Sequence, residues 1–115
     1  MDTMADLLQF PAALRQARSK RGLMQKTVAY SLDIDPTILC SAEKGARGPL
    51  NAQALRKLAV LFELTPFEAH HLFLAARHDR AIAALRRQGL SEIELHSIST
   101  VLSGLYARRV IDRSD

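Results

Sequence analysis

The chain has a single cysteine, Cys40, in 115 residues. One thiol excludes an internal disulfide and fits a reducing cytoplasm. No apolar run approaches the roughly 20 residues needed to span a bilayer, and the N-terminus carries no signal-peptide pattern. A cytoplasmic location without a membrane partner is therefore expected. Strand signals are scarce as well. There is no alternating run bounded by turn residues, and no Asn-Gly or Asp-Gly pair that would close a hairpin. Catalytic patterns are also missing: no glycine-rich phosphate loop, no paired carboxylates in a cleft, no nucleophile with a base at recognisable spacing. No enzyme and no cofactor are expected. His70, His71 and His78 do not make a metal site, because a helical zinc pair needs histidines about four apart. Solvated or partner-facing histidines are the expectation.

What is present is helix signal along nearly the whole length. Of the residues 48% are apolar and 24% charged, enough for one domain with a buried core and a small helical appendage. The expected fold class is all-α, with seven short helices and an eighth if a lead-in from Ala5 is helical. Pro11 breaks that lead-in at Phe10. Helices are expected over Pro11–Arg21, stopped by Gly22, over Gln25–Ser31, and over Pro36–Lys44. Asp35 can cap the last of these, Pro36 suits its first position, and Gly45 ends it with left-handed angles. Asn51 caps a fourth helix reaching Phe62, with Leu55, Leu58, Ala59 and Phe62 on its buried face. Thr65-Pro66-Phe67-Glu68 is a capping box that opens a fifth helix to Arg77. Arg80–Gln88 reads as a separate short helix stopped by Gly89. Ser91-Glu92-Ile93-Glu94 is a second capping box, opening a last helix to Ile111.

Charge is distributed more tellingly than its total. The net +4 comes from 16 basic and 12 acidic residues, yet Pro11–Leu32 holds five basic residues (Arg15, Arg18, Lys20, Arg21, Lys26) and no acidic one. Beside two short helices joined by a tight turn, such a stretch reads as a phosphate-contacting surface.

The residues from Leu14 to about Phe73 resemble the helix-turn-helix domain of Xre-family regulators, the lambda-repressor and Cro-like fold. The matching motifs are Leu14-Arg15-x-x-Arg18-x-x-Arg21-Gly22-Leu23-x-Gln25, Val28-Ala29, and Leu32-x-Ile34-x-Pro36-x-x-Leu39-x-x-x-Glu43-x-Gly45. Pro49-Leu50, Leu55-x-x-Leu58-Ala59 and Phe62-x-Leu64-Thr65-Pro66-x-Glu68 continue the register. The resemblance divides the chain into an arm over 1–10, a helix-turn-helix domain over 11–78, and a helical extension over 79–115 expected to pair two chains. It implies a transcriptional regulator, usually a repressor, binding a (pseudo)palindromic operator in double-stranded DNA as a homodimer.

Carried over residue by residue, the base-reading positions are Pro36, Thr37, Ile38, Cys40 and Ser41. Arg18, Arg21, Gln25, Lys26, Lys44 and Arg47 are the phosphate-contact candidates. Arg18 has an alternative role, an internal ion pair with Glu43. Met24 stands where the family places a capping Ser or Thr. The base-reading set contains no Arg, Lys, Asn or Gln, the residues that discriminate bases by about 1–3 kcal/mol each. Two readings follow: DNA binding that leans on basic anchors and groove shape, or a scaffold whose third helix docks on a regulatory protein partner, as in an antiactivator or antitoxin. The basic stretch favours the first. On the last helix, Leu95, Ile98, Val101, Leu102 and Leu105 recur at helical spacing and are the dimerisation candidates.

Overall fold

The computed structural model describes residues 7–113, with side chains described up to Arg108. Most of the expected arm lies outside the described residues. Six helices follow: α1 (Phe10–Lys20), α2 (Gln25–Leu32), α3 (Pro36–Lys44), α4 (Ala52–Leu61), α5 (Pro66–Arg87) and α6 (Glu92–Arg113). Among the described residues there is no strand.

The local chemistry of the helix ends explains most boundaries. Asp35 caps α3 by accepting the Thr37 N–H, and Gly45 closes that helix at φ +76°. A side chain at residue 45 would be doubly unwelcome, since its Cβ would lie 3.1 Å from Leu8 Cδ1. Asn51 caps α4 through the Ala54 N–H. Both capping boxes form: Thr65 and Glu68 exchange bonds at α5, Ser91 and Glu94 at α6. Asp33 ends α2 in the left-handed region at φ 58°, which Asp tolerates better than most residues.

One boundary differs from the sequence expectation. The expected break between Arg77 and Arg80 does not occur; α5 is continuous for 22 residues. No Gly or Pro interrupts His78-Asp79-Arg80, and the Asp79 carboxylate is engaged at the start of another helix. It accepts the backbone N–H of Gln9 at 2.9 Å and of Phe10 at 2.9 Å. Gln9 offers α1 no side-chain cap of its own, so Asp79 supplies one from 69–70 residues away. The domain boundary drawn at residue 78 falls inside the continuous helix α5.

That helix joins two apolar clusters. The larger gathers Phe10, Leu14, Val28, Leu39, Leu55, Leu58, Phe62 and Leu72, among others, from α1 to the first half of α5. The smaller is Leu7, Ile82 and Leu95, with Leu85, Leu90 and Leu102 around it. At about 1.5–3 kcal/mol for each fully buried large side chain, the first cluster dominates stability and the second fastens α6 to α5. α3 packs on α1 and α2, whereas α6 packs chiefly on α5.

Candidate nucleic-acid interface

Glu43 organises the contact of α1, α2 and α3. It lies in the last turn of α3 and is buried, at 2% exposure. Arg18 of α1 grips its carboxylate with both sides of the guanidinium, Nε to Oε2 at 2.6 Å and a terminal nitrogen to Oε1 at 2.9 Å. Gln25, the first residue of α2, donates to Oε1 at 3.0 Å. The remaining Arg18 nitrogen donates to the Leu23 carbonyl at 2.8 Å, and Arg15 donates to the Glu43 carbonyl. Burial pushes the Glu43 carboxyl up, but the Arg18 and Gln25 hydrogen bonds outweigh it and hold the group below its ordinary range. The same bond raises Arg18. Three helices are thereby pinned to one charge.

Two phosphate candidates change role. Arg18 is the internal partner of Glu43, not a free cation, and Gln25 orients the same carboxylate. A third, Arg21, donates to the Glu63 carbonyl at 3.0 Å and lies 3.6 Å from its carboxylate. Lys26, Lys44 and Arg47 are exposed, and their side chains make no hydrogen bond or ion pair among the described residues.

The base-reading candidates divide as well. On α3 the buried side is Leu39, Ala42 and Glu43. Helical spacing puts Thr37, Cys40, Ser41 and Lys44 on the opposite side. Pro36 and Thr37 are exposed, while Cys40 and Ser41 are half-buried. Ile38 is half-buried and packs partly against the main core. The Thr37 hydroxyl donates to Asp35 at 2.6 Å, which leaves it only as an acceptor, suited to the amino donor of adenine or cytosine. That bond and the Thr37 N–H hold the Asp35 carboxyl below its usual range.

Met24 heads α2 without a side-chain cap, as its position in the motif implies. It is 68% exposed, and Tyr30, at the other end of the same helix, is 89% exposed. Sequence reasoning passed over Tyr30. The signal available was its position off the Val28–Ala29–Leu32 stripe.

Comparisons of the chain with protein-family models, with curated proteins and with solved structures found no match.

A second polar constellation was invisible in the sequence. His78 is fully buried, contrary to the expectation of a solvated or partner-facing ring. Its Nδ1 lies 2.8 Å from Asp79 Oδ1 and its Nε2 2.7 Å from Ser99 Oγ. Asp79 Oδ1 can only accept, so His78 Nδ1 carries a proton toward it, while Nε2 shares a hydrogen bond with the Ser99 hydroxyl. The order Ser–His–Asp is that of a nucleophile, base and carboxylate. Here Ser99 is 8% exposed and the carboxylate also caps α1. The chain of bonds ties α1, α5 and α6 together, and Gln9 donating to Ser103 at 2.7 Å extends it. Among the described residues no group of three or more His, Cys, Asp or Glu side chains is placed to hold a metal ion. Among the described residues no helix is long and apolar enough to cross a membrane.

Of the dimerisation candidates, Leu95 is fully buried in its own chain and leaves the surface set. Leu102 packs partly on the same small cluster, and Ile98 is half-buried. Val101 and Leu105 are exposed.

Proposed function

We propose that the chain is a cytoplasmic DNA-binding transcription regulator of the Xre type, a repressor that binds a (pseudo)palindromic operator as a homodimer. α3 enters the major groove, with Thr37, Cys40 and Ser41 against base edges and Lys26, Lys44 and Arg47 on the flanking phosphates. One observation carries this reading. A buried carboxylate clamps α3 to α1 and α2 while the three cations around the motif remain unpaired. Unpaired cations beside a rigidly held short helix suit phosphate anchoring better than internal packing does.

The test is a mobility-shift assay against the DNA upstream of the chain's own gene. The native chain should retard it, and Arg47→Ala should weaken binding about tenfold, the worth of one charged contact. Absence of retardation at low salt overturns the reading.

A second reading, a protein-interaction module, has its own observation: the exposed Met24 and Tyr30 on α2 beside an α3 that presents no strong base reader. It predicts no retardation, and a partner interaction that Tyr30→Ala abolishes and Arg47→Ala leaves intact.

A further inference from the structure

α6 turns Leu95 and Ser99 inward, yet leaves Ile93, Val101 and Leu105 exposed at 80%, 61% and 51%. At about 100° per residue these three share one side of the helix with Ile98 and Gly104, within an arc of about 140° centred on Val101. The stripe is continuous, unlike single apolar residues scattered over a surface.

Gly104 adds an independent observation. A Cβ built there meets nothing within 4 Å in its own chain. Nothing inside the chain requires glycine, although glycine is among the poorest residues for a helix interior. Charge adds another. Glu94 stands seven residues before Val101 and Arg108 seven after it, on the same side and both exposed.

We propose that this face pairs with the same face of a second copy, α6 against α6, antiparallel across a twofold axis at Val101. In that register Val101 meets its own counterpart, Leu105 faces Ser97, and Gly104 makes room for Ile98. Glu94 faces Arg108 twice. A parallel pair would set Glu94 on Glu94 and Arg108 on Arg108, so charge selects the antiparallel arrangement, and the helix dipoles favour it too. The seam covers on the order of 300 Å² per copy, well under the 800 Å² of a standard stable interface, so the dimer exchanges with monomer. This deepens and rests on the homodimer half of the proposed function, and it is tested without DNA.

Sedimentation equilibrium of the full chain should show mass rising with concentration from 12.8 kDa toward twice that value. Val101→Glu and Arg108→Glu should each hold the chain monomeric, with circular dichroism melts unchanged because both positions are exposed. Combining Arg108→Glu with Glu94→Lys should restore association relative to Arg108→Glu alone, while lowering the melt because Glu94 also caps α6 at Ser91. In a Cys40→Ala background, Val101→Cys should oxidise to a covalent dimer. Thr100→Cys, about 100° around the helix, should not. A chain monomeric at every concentration overturns the proposal. So does a dimer indifferent to Val101→Glu and Arg108→Glu, or one that Thr100→Cys cross-links equally fast. A chain that pairs but retards no DNA leaves this interface standing and removes the operator reading.

Discussion

Glu43 is a buried charge whose carboxylate is met by three side-chain donors from two other helices. Removing it strands the Arg18 guanidinium, so Glu43→Ala should lower stability by about 3–5 kcal/mol in urea unfolding. The double variant Arg18→Met with Glu43→Leu should recover most of that loss, because a matched apolar pair carries no desolvation penalty. Asp79→Ala leaves the Gln9 and Phe10 N–H groups and His78 without their acceptor, and should cost about 2–3 kcal/mol. At this scale the sequence was ambiguous. Arg18 and Glu43 are 25 residues apart, and composition alone serves a phosphate anchor and an internal ion pair equally well. The partners of Asp79 and His78 could not be read at all, since they lie at distant positions with no local pattern.

Helix ends were the most legible elements, because capping is local chemistry between residues three or four apart. Both capping boxes and the Asp35–Pro36 start form as their spacing requires. These caps carry a pH signature. Glu68, bonded by the Thr65 N–H and by Lys20, is lowered from 4.5 to about 2. Glu94 is lowered by the Ser91 N–H. A depressed carboxylate contributes stability that is complete above its unfolded value and is lost as pH falls through its folded value. Thermal melts should therefore be flat from pH 7 to about 5, then decline between about 4.5 and 2, and Glu68→Gln should flatten part of that decline. The error at this scale was α5. No Gly or Pro breaks residues 78–80, and His78 and Asp79 there are held by contacts to α1 and α6.

At the scale of the whole molecule, α5 bridges a large core under α1–α4 and a small one under α6. The proposed groove-entering helix and the proposed pairing helix consequently rest on different supports. With Lys26, Lys44 and Arg47 as the anchors, log affinity for the operator should fall against log salt with a slope of about 2.7 per protomer, at 0.9 per phosphate. Filter-binding titrations between low and physiological salt would measure it. A slope near zero would remove these cations from the interface. A slope of about 3.6 would return Arg15 or Arg21 to it, and about 4.5 would return both.

The residue order alone determined an all-helical chain, its caps, its short turn before Pro36 and the apolar stripe of its last helix. Each is written in contacts a few positions apart. Only the tertiary structure decided which cations are free, which face of α6 is left open, and that His78 and Asp79 are buried together. Those depend on which distant groups compete for the same donor, acceptor or apolar surface, and that competition exists only once the helices have packed.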